Sequence, residues 1–102
     1  PSTNEWEGEA VAPMPTARRH AETAVLDGKL YAAGGHDDED DDAPSNVVER
    51  YDLAANAWEA VAPMTTARSD HGVAVLDGKL YAVGGENVDD NSLSSVERYD
   101  LA

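Results

Sequence analysis

The sequence predicts an all-β chain built from two copies of one four-stranded antiparallel unit. Three observations carry this reading. Residues 11–35 and 61–85 share 18 of 25 positions at an offset of 50, and VERYDLA occurs at 48–54 and again at 96–102. Each copy holds two short apolar runs joined by Asp-Gly (Asp27-Gly28 and Asp77-Gly78), the strongest short hairpin signal. No stretch keeps a helical period for more than a turn.

The elements follow in order. In the second copy, strand a (about 72–77) and strand b (79–84) flank the Asp-Gly turn. Strand c spans 95–100, where Val96, Arg98 and Asp100 alternate with Glu97 and Tyr99. Strand d is 58–62, ended by Pro63, with 5–11 as its counterpart earlier in the chain. The chain therefore runs d, a, b, c, d, a, b, c. Residues 13–62 form one complete unit, 63–102 hold strands a to c of a second, and 1–12 hold a strand d without a unit of its own.

Composition bounds the function. The 102 residues fit one domain. Of the hydrophobic residues 17 are alanines, and Phe and Ile are absent, so the core is thin unless small residues pack closely or other copies complete the burial. Acidic side chains number 21 against 7 basic ones, a net charge of −14. Seven scattered cations build no phosphate-binding patch, which excludes nucleic acid and anionic membrane surfaces as partners. With no cysteine there is no disulfide, thiolate site or Cys nucleophile. No apolar run approaches the ~20 residues of a membrane helix and no targeting signal opens the chain. A soluble protein, cytoplasmic or recombinant, is expected, and the sequence gives no firmer location.

A unit of about 50 residues with a double glycine closing strand b, a Tyr on strand c and a Trp on strand d resembles the kelch repeat, one blade of a β-propeller. The residues that carry the resemblance are Gly34-Gly35, Tyr51 and Trp58, then Gly84-Gly85 and Tyr99, with Trp6 as the second Trp and Arg18 and Arg68 in the M-x-x-x-R stretch. It covers essentially the whole chain. Alanine and paired glycine suit strands that crowd near a propeller axis, and Tyr and Trp fill the widening gap between blades. Two repeats fall short of the ~3 that bury a continuous core. The expected solution is that strand d of one copy completes the last blade of another and closes a ring, since an open edge is an aggregation hazard. The six blades common in the family imply a homotrimer, and eight would imply a homotetramer. Repeats this alike also suggest an engineered or consensus-derived symmetric, self-assembling propeller.

The resemblance implies a binding module rather than an enzyme. Its ligand face consists of the residue after the Arg (Arg19, Ser69), the residue after Gly-Gly (His36, Glu86) and the residue opening strand c (Val47, Ser95). Arg18 and Arg68 read as structural. The copper-radical oxidases among kelch-like propellers need a Cys-modified Tyr, which is impossible here. Ser69-Asp70-His71 holds the letters of a hydrolase triad, yet neighbours on an extended chain cannot aim at one reacting atom. His20 and His71 read as surface residues.

One loop exceeds what the framework needs. His36 is followed by six acids, Asp37 to Asp42, against Asp89 and Asp90 in the matching loop. Such runs are usually solvated and disordered. The sharper alternative is a divalent cation of calcium or zinc type held by His36, Asp37, Asp38, Asp40 and Asp42, since dense carboxylates suit hard cations and histidine adds a borderline ligand. Position 6 of an EF-hand loop is Ala43 here and no helices flank it, so the carboxylate spacing is coincidental. No cofactor is required, and a cationic peptide is the other partner that an acidic loop face would suit.

Overall fold

Asp27 and Gly28 both take positive φ (51° and 76°), as do Asp77 and Gly78 (52° and 75°). That left-handed pair is what a two-residue type I′ turn requires. The computed structural model describes residues 11–16, 18–37 and 43–100. Within them the strands run β1 (Arg18–Arg19), β2 (Glu22–Leu26), β3 (Lys29–Ala33), β4 (His36–Asp37), β5 (Val48–Asp52), β6 (Ala57–Val61), β7 (Gly72–Leu76), β8 (Lys79–Val83) and β9 (Val96–Asp100). The turns close Leu26 onto Lys29 and Leu76 onto Lys79.

Two larger antiparallel sheets result, beside a two-stranded one. The first has the order β2-β3-β5-β6 and the second β7-β8-β9. These are strands a to d of one blade and a to c of the next, within a residue or two of the expected bounds. Strand b stops one residue early in each copy because Gly34 and Gly84, at φ 67° and 65°, turn the chain out of the sheet. The expected strand at 5–11 lies almost wholly outside the described residues. The two-residue strands β1 and β4 were not expected; they pair Arg18 with Asp37 and Arg19 with His36.

Packing follows from register. Side chains directly opposite one another share a face, so Leu26, Tyr31, Ala33 and Val48 point to one side of blade 1, with Ala24 and Val61 beside them. On blade 2 the opposite set, Val73, Leu80, Ala82 and Tyr99, meets them. Met64, in the segment joining the blades, completes this core. The Tyr31 and Tyr99 rings approach across it at 5.8 Å, tilted by 52°. The innermost strands β2 and β7 lie side by side, where alanine and glycine permit the closest approach. The described residues contain no helix long and apolar enough to cross a membrane.

Candidate functional site

Each blade is pinned by a buried arginine at the start of its strand a. The Arg18 guanidinium donates to the carbonyls of Gly34 (3.0 Å) and Val47 (2.9 Å) and to Glu49 (2.6 Å). Arg68 repeats the pattern with Gly84 (3.0 Å), Ser95 (3.1 Å) and Glu97 (2.7 Å). The Arg18 and Glu49 side chains are 1% and 5% exposed, those of Arg68 and Glu97 0% and 21%. Burial raises the Glu97 pKa, but Arg68 and the amides of Thr65 and Thr66 outweigh it and hold the carboxyl below its ordinary value. The two arginines tie the b-to-c loop ends to the incoming chain, a framework role.

The loops that follow them converge at one end of the sheets. Arg19 pairs with His36, and Ser69 with Glu86, so the segments before strand a and after strand b lie together in both copies. Arg19 and Glu86 are exposed and His36 is partly so. Ser69 is fully buried, with no solvent-facing atom to offer a ligand. Ser95 is exposed, yet its hydroxyl accepts a hydrogen bond from Arg68 at 3.2 Å. Val47 is half-buried, and its carbonyl serves Arg18. Sequence reasoning missed that Asp70, from the second copy, reaches the first: its carboxylate lies 3.4 Å from His20 Nδ1 and 4.0 Å from His36 Nε2. The two imidazoles meet edge to face at 5.6 Å. Left-handed φ at His20 (57°) and Asp70 (53°) turns both side chains toward this junction.

For the acidic loop, the structure places His36 and Asp37 on β4, while Asp38, Asp40 and Asp42 lie outside the described residues. Among the described residues no three His, Asp or Glu side chains are placed to hold a metal ion.

His71 corrects the sequence reading. It was expected at the surface with His20, but it is only 4% exposed. It occupies the position of Ala21 in the first copy, and Gly34 of the neighbouring blade leaves the slot it fills: a Cβ on Gly34 would stand 2.7 Å from its Cε1. The signal available was a large polar residue replacing alanine at a repeated position. Neither its ring nitrogens nor Ser69 Oγ form a hydrogen bond, so no Ser–His couple exists. Burial, and then the positive charge of Arg68, push the His71 pKa below its ordinary value; Glu22, the Ala33 carbonyl facing the ring and Asp70 oppose this more weakly. A depressed histidine pKa stabilises the fold fully above its unfolded value of about 6.5 and loses that contribution as pH falls. Thermal melts should therefore weaken between pH 7 and pH 5, before Glu97 titrates, and His71→Ala should flatten that slope. An unchanged slope would remove His71 as its cause.

A four-stranded and a three-stranded antiparallel sheet stacked with their innermost strands side by side and their loops gathered at one end define two adjacent blades of a β-propeller. The kelch motif matches residues 17–65 and 67–102, and the chain belongs to that family. Among solved structures, one described as the structure of YjhT superposes with a TM-score of 0.68 at 29% identity, covering 78% of this chain and 24% of that one. The chain thus spans about a quarter of the length of that relative. A search of curated protein sequences finds no match.

Proposed function

We propose that this chain is a non-catalytic building block of a kelch propeller whose ring is completed by further copies of itself. One observation carries the reading. Leu26, Ala33 and Val48 of blade 1 are 4%, 2% and 5% exposed because blade 2 covers them, whereas their equivalents Leu76, Val83 and Val96 on blade 2 are 65%, 47% and 54% exposed. Blade 2 therefore presents a second example of a face that the chain already buries once. The surface that covers such a face is the outer side of another blade, so the contact is head to tail and closes only as a ring. Three chains would supply the six blades usual in the family.

The non-catalytic part of this reading is supported by the buried, unbonded Ser69 and His71 and by the framework duty of both arginine–glutamate pairs. What remains for recognition is the loop end with Arg19, His20, His36, Asp70 and Glu86. Native mass spectrometry should find a closed trimer of the 10.8 kDa chain. A tetramer would change the blade number to eight, and a well-folded monomer at micromolar concentration would defeat the proposal.

A further inference from the structure

Glu97 is held as a ligand is held. Its carboxylate, carried on β9, accepts the Thr65 amide hydrogen at 2.6 Å, the Thr66 amide hydrogen at 3.0 Å and an Arg68 guanidinium hydrogen at 2.7 Å. All three donors belong to the segment that joins the blades, and none to β9 itself. Two successive backbone amides that point to one place form an anion-binding concavity. A guanidinium beside them makes the contact charge-assisted. Burial opposes the charged carboxyl, yet Arg68, then Thr65 and Thr66, hold it below its ordinary value.

The first copy shows that the blade framework does not require this arrangement. Pro15 stands where Thr65 stands, and proline has no amide hydrogen to give. Glu49 there meets Arg18 at 2.6 Å and the Thr16 hydroxyl at 3.4 Å. Its side chain is 5% exposed, against 21% for that of Glu97. One blade seals its carboxylate inside, while the other holds it in a cup of amides that reaches solvent.

We infer that Thr65, Thr66 and Arg68 form a carboxylate-binding site whose resident occupant is Glu97, and which takes a small free carboxylate when that side chain is withdrawn. The donor geometry selects the class of ligand. Thr65 serves Oε1, while Thr66 and Arg68 serve Oε2, so the three donors are divided between two oxygens of one planar group. A spherical halide offers no second acceptor to match them. Every donor lies between the two blades, so the site depends neither on self-assembly nor on what pairs with the outer edge of β9.

Acetate is the probe, because it restores the atoms that Glu97→Ala removes. Exchanging chloride for acetate at neutral pH and constant ionic strength should raise the melting temperature of full-length Glu97→Ala by several degrees. The gain should grow with acetate concentration as it does for a ligand that binds only the folded chain. The parent chain and Glu97→Gln, whose side chains still fill the site, should move far less. The double variant Thr65→Pro/Glu97→Ala, which imports the proline of the first copy, should lose most of the gain. Should Glu97→Ala be unfolded in chloride, acetate should restore its β-sheet circular dichroism. An acetate gain shared equally by Glu97→Gln is a bulk salt effect and overturns the inference, as does the absence of any gain in Glu97→Ala. A second measurement needs no truncated carboxylate: in Thr65→Pro the Glu97 carboxyl, followed by NMR, should titrate at higher pH than in the parent. An unshifted titration also overturns the inference.

Discussion

Glu49→Gln is expected to destabilise the folded chain by about 3–5 kcal/mol, the range for removing one partner of a buried ion pair. The Arg18 side chain, 1% exposed, would keep its charge and its two carbonyl partners but lose the carboxylate 2.6 Å away. Domain stabilities of about 5–15 kcal/mol leave little after such a loss. Denaturant melts at fixed protein concentration give the number. The informative control is Glu59→Gln on β6, whose partner Arg50 also bonds the Tyr31 hydroxyl and whose own side chain is 51% exposed. That change should be nearly silent for unfolding. Equal effects from the two would mean that the Arg18–Glu49 pair is no framework element.

Gly34→Ala should be the second severe substitution. Its φ of 67° already disfavours a side chain, and a Cβ would stand 2.6 Å from the Arg68 carbonyl as well as against His71. That carbonyl cannot withdraw freely, because it accepts the Gly35 amide hydrogen at 3.0 Å. Left-handed strain of about 1–2 kcal/mol joins overpacking of about 1–3 kcal/mol. Gly78→Ala, at φ 75° with nothing within 4 Å, bears the strain alone. The melting temperature should fall much further for Gly34→Ala, and hydrogen exchange should show the loss first where the blades meet. Matching shifts would show that the contact between blades is soft.

Both substitutions act on features that the sequence disclosed unevenly. The hairpins were legible because Asp-Gly dictates its own turn, and the blades because the repeat announces itself at Gly34-Gly35, Tyr51 and Trp58. What stayed hidden depends on segments that meet only in space. Strands β1 and β4 are two residues long and have no periodicity to read; their pairing exists because the b-to-c loop folds back on the incoming chain. Asp70 stands fifty residues from His20 in sequence, and no local pattern joins them. His71 was misread because histidine in a loop is ordinarily solvated, while the slot that buries it belongs to a glycine on the other blade. Ser69 is buried where Arg19, its equivalent in the first copy, is exposed, and the difference lies in spatial neighbours: Ser45 of the first blade pairs with Arg68 beside it.

The tight turns between strands a and b have a further consequence. Each type I′ tip is exposed, and among the described residues nothing lies within 4 Å of a side chain added at Gly28 or Gly78. The b-to-c loop of the first blade, by contrast, is knitted into the segment that enters the second through Gly35, Ser45 and Asn46. Insertions tend to survive at exposed tips that nothing else contacts. The two loop types therefore divide the labour of sequence change: lineages and engineers alike can lengthen or decorate the hairpin tips without disturbing the seam between blades, while a graft into the loops around Ser45 must also satisfy the blade beside it.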